Sequence, residues 1–246
     1  MSHDFNGRSA IVTGAARGIG LAIAHALHAG GARVALADVD GPAAEASAAR
    51  LGERALGLTL DVRERGHFEV ARDRLLATWG RVDIVVNNAG WAPRSPVAEI
   101  TPVEFDDVVA VNMRSVFLSC QVFGPLLQRQ GYGRIVNVTS LAGQNGGTVA
   151  APHYAAAKAG AIMLTKYFAQ LLAPHGVTVN AIAPGPTETA KGRLSVEQIA
   201  AIEKRVPLGR FARAEEMAAA VALLASDEGG FFVGATLDLN GGLYVR

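Results

Sequence analysis

The strongest constraint on the fold of this chain is a repeated alternation of short apolar segments with longer segments rich in alanine and leucine. The short segments are apolar almost throughout, which is typical of strands that are covered on both faces. Strand, helix and strand in repetition predict βαβ units and therefore a parallel sheet. The predicted strands are 9–13, 33–38, 55–59, 84–87, 134–138, 178–183 and 236–239.

The segments between these strands predict helices on both faces of the sheet, so the expected fold class is a doubly wound α/β fold. No change of composition divides the chain, and residues 1–246 are expected to form one domain. The least regular stretch, 184–208, is interpreted as a substrate lid, with an ordinary connection as the alternative. The predicted helices are 18–29, 42–51, 64–79, 102–127, 154–172, 196–204 and 214–224.

The composition excludes several classes of protein. Half of the residues are hydrophobic and 18% are charged, which is not the composition of a disordered chain. A net charge of +1 gives no field that attracts nucleic acid, and the apolar runs are too short for a membrane span. The six histidines and the single Cys120 have no metal-ligand spacing. One cysteine and no secretory signal pattern favour the reducing cytoplasm.

A glycine-rich turn connects the first predicted strand to the first predicted helix. Residues 13–20 read TGAARGIG, with the spacing Gly-x-x-x-Gly-x-Gly. Glycines at such a turn let a pyrophosphate approach the backbone, and the helix N-terminus presents free N–H groups to it. A dinucleotide site is therefore predicted at Gly14, Arg17, Gly18, Ile19 and Gly20.

The second predicted strand ends at Asp38, eighteen residues after Gly20. An acid at about this separation accepts hydrogen bonds from the adenosine ribose and repels a 2′-phosphate, so NAD is favoured over NADP. Arg17 is the opposing observation, because a guanidinium in the glycine turn can pair with a 2′-phosphate. A helix N-cap or a solvated turn is the structural alternative for Asp38.

Two further strand ends are predicted to border the cofactor. Asp61 and Val62 close the third predicted strand, on the adenine side, and Asn88, Ala89 and Gly90 close the fourth. A side-chain amide at a strand end can brace neighbouring loops, and a glycine there leaves room for the cofactor. A purely structural turn explains these residues equally well.

Tyr154 and Lys158 are four residues apart at the start of a predicted helix and therefore share one face. A tyrosine with a pKa of about 10 is a slow base at neutral pH. A nearby ammonium, together with the positive ring of an oxidised nicotinamide, stabilises the phenolate and lowers that pKa. The pair predicts acid/base chemistry at Tyr154, with an ordinary surface pair as the alternative.

With these motifs in this order, nearly the whole chain resembles the short-chain dehydrogenase/reductase family. The family implies a Rossmann-like sheet of about seven strands and a catalytic tetrad, whose positions are Asn112, Ser140, Tyr154 and Lys158. The residues that carry the resemblance are the turn at 13–20, residues 87–90, the tetrad positions, Pro184-Gly185 and Asn240-Gly241-Gly242.

The resemblance also implies a role for each of these residues. Tyr154 exchanges the proton of the substrate hydroxyl, and Ser140 holds the substrate oxygen. Lys158 tunes Tyr154 and binds the nicotinamide ribose, while Asn112 holds a water that links Lys158 to solvent. Further cofactor contacts are implied at Pro184, Gly185, Thr187 and Thr189.

The activity that the resemblance implies is the interconversion of a secondary alcohol and a ketone with NAD(H). Residues 206–211 and 239–242 look like those of 3-oxoacyl-acyl-carrier-protein reductases, the alternative function. Those reductases mostly use NADPH, from which Asp38 departs, so polyol, sugar, hydroxyacyl-thioester and xenobiotic alcohol dehydrogenases stay open. A regulatory nucleotide-binding protein is the non-enzyme alternative, against which Tyr154 and Lys158 argue. The predicted substrate neighbours are Trp91, Ala142, Gln144, Asn145, Pro186 and Glu188, with Lys191 and Arg193 on the lid.

The apolar content of residues 154–172 predicts an oligomer. It exceeds what one stripe facing the chain's own sheet requires. Family members of this size are commonly tetramers built from two long helices and the C-terminal strand region, here 102–127, 154–172 and 236–246. Symmetric pairing would bury the excess apolar surface, so a homotetramer is expected.

Overall fold

A computed structural model of the chain describes residues 3–147 and 150–245, apart from the Arg193 side chain. In this part of the chain seven strands form one sheet in the order β3-β2-β1-β4-β5-β6-β7, and all pairs are parallel. This confirms the predicted Rossmann-like α/β fold. The strands are β1 (Ser9–Thr13), β2 (Arg33–Asp38), β3 (Ala55–Thr59), β4 (Ile84–Asn87), β5 (Gly133–Val138), β6 (Val177–Pro184) and β7 (Thr236–Leu239).

The helices lie between the strands, close to the predicted bounds. Short 3₁₀ turns occupy Val97–Glu99, Ala173–His175 and Glu188–Arg193. None of the helices in the described ranges has the length and apolar character of a membrane span. The helices are α1 (Gly18–Ala29), α2 (Gly41–Leu51), α3 (Arg65–Trp79), α4 (Pro102–Val109), α5 (Ser115–Gln130), α6 (Ala142–Asn145), α7 (Pro152–Leu172), α8 (Val196–Arg205) and α9 (Ala214–Ala225).

Alternating side chains of the sheet build two hydrophobic cores, one on each face. Ile11 of β1 points into the core that α3, α5 and α7 cover, where Phe68 and Phe123 meet edge to face. Ala10 and Val12 of the same strand point into the opposite core, which α1 and α9 cover. Strands buried on both faces explain why the sequence is apolar at successive positions rather than at every second one.

The prediction of one continuous helix over 102–127 was wrong at its centre, because a π-helical turn at Ala110–Arg114 separates α4 from α5. The Asn112 side chain donates a hydrogen bond to the Val108 carbonyl at 2.9 Å inside this turn. Next to it, the thioether of Met113 occupies the space that a side chain at Gly160 of α7 would fill. The widened turn therefore brings Asn112 into the interior, and such turns are frequent at functional sites.

The sheet reverses its strand order between β1 and β4, because β2 and β3 follow on one side and β5, β6 and β7 on the other. In doubly wound folds, ligands bind in the crevice outside the carboxyl ends of the strands at this point. The predicted lid, 184–208, leaves the same edge of the sheet after β6. Its path is fixed by hydrogen bonds from the Glu188 N–H to the Ala212 carbonyl (2.9 Å) and from the Leu208 N–H to the Gly241 carbonyl (3.2 Å).

Candidate active site

A set of hydrogen bonds around Thr13 and Asn88 joins the carboxyl ends of β1 and β4. The Thr13 hydroxyl accepts hydrogen bonds from the backbone N–H groups of Asn88 (3.0 Å) and Ala89 (3.1 Å). The same hydroxyl lies 3.4 Å from the Val86 carbonyl, to which it donates. In return, the Asn88 amide donates to the carbonyls of Thr13 (2.9 Å) and Gly14 (3.0 Å). The glycine turn is thereby held against the end of β4.

Two glycines of this turn have a left-handed backbone and close neighbours. Gly14 has φ +63°, and a Cβ there would lie 2.8 Å from the Ala89 Cα. Gly18 has φ +62°, and a Cβ there would lie 3.6 Å from the methyl group of Thr189. The predicted nicotinamide-side contact Thr189 is therefore placed over the glycine turn by the lid.

The start of α1 fits a dinucleotide pyrophosphate. Arg17 occupies the N-cap position with an exposed side chain, and no side chain caps the helix. The N–H groups of the first turn, Gly18, Ile19 and Gly20, are therefore left to an anion, which the helix dipole also favours.

Asp38 lies beside this turn, at the end of β2, and is nearly buried. Its Oδ2 accepts a hydrogen bond from the Ala16 N–H, and its Oδ1 accepts one from the Asp40 N–H, both at 3.1 Å. A carboxylate oxygen accepts two hydrogen bonds, so each keeps capacity for a ribose hydroxyl. The position suits the role predicted for Asp38.

Asp61 and Val62, predicted on the adenine side, differ in their surroundings. Val62 is buried in the core that α3 covers. The Asp61 carboxylate forms a two-pronged ion pair with Arg63, with Nε–Oδ2 at 3.0 Å and Nη2–Oδ2 at 2.7 Å. The hydrogen bonds from Arg63 hold the pKa of Asp61 below its usual value. Arg63 also reaches Asp107, so this pair links the end of β3 to α4.

Lys158 and Asn112 meet over the backbone of Gly90. The buried Lys158 ammonium donates a hydrogen bond to the Val138 carbonyl at 2.8 Å. The Asn112 amide donates to the Trp91 carbonyl at 2.7 Å and accepts from the Trp91 N–H at 3.3 Å. A Cβ at Gly90 would lie 3.0 Å from Asn112 Oδ1 and 3.5 Å from Lys158 Nζ. A side chain at this position would therefore crowd the Asn112 amide.

Ser140 and Tyr154 complete the constellation. The Ser140 hydroxyl accepts a hydrogen bond from the Ala142 N–H at 3.1 Å and forms a side-chain hydrogen bond with Tyr154. The two elements that carry these residues pack closely, because Gly143 of α6 contacts the backbone of Lys158. The structure thus brings all four residues of the predicted tetrad to one edge of the sheet.

Burial shifts the pKa values of the two titratable groups of the tetrad in opposite directions, because it favours the neutral form of each. It raises the pKa of Tyr154, and the hydrogen bond with Ser140 opposes that shift. It lowers the pKa of Lys158 to about 8. The prediction that the nearby ammonium and an oxidised nicotinamide together lower the pKa of Tyr154 was wrong for the protein alone: the pKa is raised, and the effect that opposes the rise comes from Ser140 rather than from Lys158. In the protein alone, desolvation of the phenolate is the larger effect.

A cavity of about 280 Å³ opens beside Ser140, between the lid and residues 92–94. Of the predicted substrate neighbours, Ala142, Asn145 and Pro186 line it. Two exposed arginines, Arg94 and Arg205, also line it. The lining includes a group of apolar residues that the sequence analysis did not single out: Leu194, Ile202, Phe211 and Leu243.

The other three predicted substrate neighbours are not part of the cavity lining. Trp91 is partly exposed, and its backbone is held by Asn112. The Gln144 amide donates to Asp238 at 2.6 Å, and Glu188 binds Ala212 through its backbone. Lys191 forms an ion pair with Glu203 at 3.1 Å, so its charge has a partner within the segment 184–208. The Arg193 side chain is outside the described residues.

The remaining predicted cofactor residues follow β6 at the same edge of the sheet. Gly185 donates its N–H to the Leu239 carbonyl, and the Pro184 carbonyl accepts from the Leu141 N–H, both at 2.9 Å. The hydroxyls of Thr187 and Thr189 lie 2.9 Å apart. Within the described parts of the chain, no group of three or more histidine, cysteine or acidic residues is arranged to hold a metal.

A parallel sheet with a glycine turn at its switch point, and beside it a Tyr-Lys-Ser-Asn group in which the lysine and the asparagine are buried, define a nicotinamide-dependent oxidoreductase site. The chain belongs to the short-chain dehydrogenase/reductase family. A family model described as "Enoyl-(Acyl carrier protein) reductase" matches residues 14–244. The 3-oxoacyl-[acyl-carrier-protein] reductase of Escherichia coli is 41% identical over 245 residues, covering 98% of this chain and 99% of that protein.

Other relatives carry other names. The D-threitol dehydrogenase of Mycolicibacterium smegmatis is 38% identical over 258 residues, covering all of this chain and 98% of that protein. An uncharacterised short-chain type dehydrogenase/reductase of Sinorhizobium fredii is 37% identical over 249 residues, covering 98% of both. Several more 3-oxoacyl-[acyl-carrier-protein] reductases match at 38–40% identity. The relatives therefore favour the alternative function over a generic alcohol dehydrogenase.

The buried ammonium of Lys158 makes stability depend on pH. Its folded pKa of about 8 lies below the ordinary 10.5, so between these values the unfolded chain binds more protons and stability rises with pH. Lys158→Met removes this titration. The unfolding free energy of the variant, relative to the unaltered protein, should fall by about 2–3 kcal/mol between pH 7 and pH 10 in urea titrations.

The control is Lys166→Met, which removes an exposed lysine from the same helix. Its unfolding free energy relative to the unaltered protein should stay constant over this range. A constant difference for Lys158→Met as well would contradict the assignment of a buried charge.

Proposed function

We propose that this protein reduces the ketone of a 3-oxoacyl thioester to a 3-hydroxyacyl thioester by hydride transfer. The observation that carries the proposal is the apolar cavity that opens beside Ser140 and reaches Leu194, Ile202 and Phe211. A thioester carries its ketone next to a hydrocarbon chain, which such a lining would accommodate. The identity of about 40% to 3-oxoacyl-[acyl-carrier-protein] reductases over nearly the full chain supports the same substrate class.

A polyol is the competing substrate, because one relative is named a D-threitol dehydrogenase. Sites that recognise hydroxyl groups place hydrogen-bonding side chains around them, and such groups are costly to leave unpaired. Four of the lining side chains, Arg94, Ser140, Asn145 and Arg205, can form hydrogen bonds, but the greater part of the lining is apolar. Its larger apolar side chains include Leu194, Ile202, Phe211 and Leu243. The lining therefore favours the acyl substrate.

The tetrad supplies the proton and the placement of the substrate. A bound nicotinamide would supply the hydride. Tyr154, protonated because burial raises its pKa, would donate a proton to the oxygen that develops negative charge. Ser140 would donate a second hydrogen bond to that oxygen and fix its position. Lys158 would bind the nicotinamide ribose, since its ammonium lies beside the Gly90 backbone.

We further propose NAD(H) as the preferred cofactor. The Asp38 carboxylate lies at the end of β2, fixed by the N–H groups of Ala16 and Asp40. A 2′-phosphate would have to approach this fixed negative charge. Two like charges 4 Å apart repel by about 4 kcal/mol at an effective dielectric constant of about 20. The Arg17 side chain could attract a 2′-phosphate, but it is exposed to water. Its effect on the cofactor preference is therefore smaller than that of Asp38.

A homotetramer is also proposed, in a reducing compartment such as the cytoplasm that suits the free thiol of the buried Cys120. Met163, Tyr167 and Leu171 form an exposed stripe along α7, with 61%, 65% and 50% of their surface in contact with water. Exposed stripes of large apolar side chains mark protein interfaces. Phe231 and Val245 extend the apolar surface near the C-terminus.

The substrate class is tested by a panel of ketones at fixed NADH. Acetoacetyl and longer 3-oxoacyl thioesters should be reduced with a higher kcat/KM than keto-sugars such as erythrulose, because only the former suit the apolar lining. Tyr154→Phe should lower kcat by about 10²–10⁴ with NADH binding retained. A preference for the keto-sugars would transfer the proposal to a polyol substrate, and full activity of Tyr154→Phe would remove Tyr154 from the chemistry.

The cofactor preference is tested with Asp38→Ser. The unaltered protein should show a higher kcat/KM with NADH than with NADPH, and the variant should lose much of this difference because the repelling charge is gone. Asp40→Ser removes a neighbouring exposed acid while keeping a good N-cap for α2, and should change the ratio much less. Equal or better use of NADPH by the unaltered protein would refute the preference.

The assembly is tested by light scattering at micromolar concentration. The unaltered protein should have a mass of about four times 25.6 kDa. Leu171→Glu places a charge in the exposed stripe of α7 and should lower that mass. Val196→Glu makes the same type of change at an exposed position of α8 and should leave it unchanged. A monomeric unaltered protein would contradict the proposal.

A further inference from the structure

A fully buried histidine directly precedes Tyr154 in the first turn of α7. The His153 ring lies 3.1 Å, through Nε2, from Oε1 of Glu104 in α4. The ring of Phe105 stacks on it, with centroids 6.0 Å apart and planes inclined by 23°. A carboxylate oxygen only accepts hydrogen bonds, so Nε2 carries the proton of this contact. Nothing in the proposed hydride transfer uses this histidine.

The second oxygen of Glu104 continues the chain of hydrogen bonds. Its Oε2 accepts a hydrogen bond from the Ser95 hydroxyl at 2.9 Å. Ser95 directly follows Ala92, Pro93 and Arg94, the three residues that form one wall of the cavity. The side chains of Ser95 and Glu104 therefore connect this wall to His153, the residue next to Tyr154.

The middle member of this chain is itself fixed in place. The Glu104 backbone N–H donates to the Thr101 hydroxyl at 3.1 Å, which caps the start of α4. Among the described residues, His153 Nδ1 has no hydrogen-bond partner, so the ring is held by Nε2 and by stacking on Phe105. The hydrogen bond from His153 Nε2–H to Glu104 therefore connects α7 to α4.

We propose that His153 is a positioning residue that, through Glu104 and Ser95, sets the distance between the 92–94 wall of the cavity and the Tyr154 hydroxyl. The wall contacts the body of the substrate, while Tyr154 contacts its ketone oxygen. Displacements of about 1 Å between such groups cost up to about 10²-fold in rate. The proposal rests on the proposed function only for the identity of the substrate.

Two substitutions interrupt the chain at opposite ends. His153→Phe keeps an aromatic ring against Phe105 but removes the donor, and Ser95→Ala removes the other hydrogen bond without touching α7. Each should lower kcat/KM for the ketone about tenfold, with the KM for NADH unchanged. His153→Gln retains an N–H at the reach of Nε2 and should restore most of the activity.

The double variant separates positioning from general damage. If both substitutions act through Glu104, His153→Phe with Ser95→Ala should lose no more kcat/KM than the poorer single variant. Losses that multiply would overturn the proposal. So would an unchanged kcat/KM in His153→Phe, or a KM for NADH that rises in step with the KM for the ketone.

A readout without substrate keeps this test separate from the proposed function. Hydrogen exchange of the backbone amides of residues 92–101, in the protein without ligands, should be faster in His153→Phe and Ser95→Ala and near the unaltered rate in His153→Gln. Unaltered exchange in both of the first two variants would overturn the proposal. If the unaltered protein reduces no 3-oxoacyl thioester, the proposed function fails, and the exchange data still decide the role of His153.

Discussion

The hydrogen bonds between Thr13 and Asn88 fix the place at which the rest of the site is assembled. They join β1 to the end of β4 across the point where the strand order reverses, and a crevice opens there because the neighbouring connections diverge. In these contacts, the Thr13 hydroxyl and the Asn88 amide form hydrogen bonds with several backbone groups at the mouth of this crevice. The glycine turn can then come close to Ala89 without leaving buried polar groups unpaired.

The burial of Lys158 is the second determinant of the site. A charged group away from water is unfavourable unless it is hydrogen-bonded, and Lys158 is held by the Val138 carbonyl at the end of β5. Gly90 and the π-helical turn at Asn112 close the space around it. The lowered pKa of Lys158 and the raised pKa of Tyr154 follow from the same burial, and a tyrosine that holds its proton suits the proton donation that we propose for it.

Periodicity predicted the sheet and most helix bounds because strands buried on both faces leave a clear apolar signal. Among the strands, only the ends of β5 and β6 differ from the predicted ranges, by a single residue, whereas several helix ends differ by one to three residues. The π-helical turn at Ala110–Arg114 was not predictable, since its cause is the tertiary contact of Met113 with Gly160 and the inward turn of Asn112. The tetrad was found through the family resemblance and the Tyr154–Lys158 spacing.

The cavity and its supports were harder to predict. Leu194 and Ile202 look like ordinary apolar residues of a surface segment in the sequence, and only the structure shows that they line the cavity. Gln144 was predicted beside the substrate, but its amide finds Asp238 on β7, a partner distant in sequence. His153 gave no signal in the sequence, because its partner is a carboxylate 49 positions away.

The most direct test of the account is a crystal structure of the protein with NAD⁺ and a 3-hydroxyacyl thioester. The 3-hydroxyl oxygen should lie within hydrogen-bonding distance of both Tyr154 Oη and Ser140 Oγ, with the acyl group against Leu194, Ile202 and Phe211. A complex in which the hydroxyl contacts neither residue, or in which the acyl group lies outside the cavity, would contradict the central claim that this site reduces a ketone held by Ser140 and Tyr154.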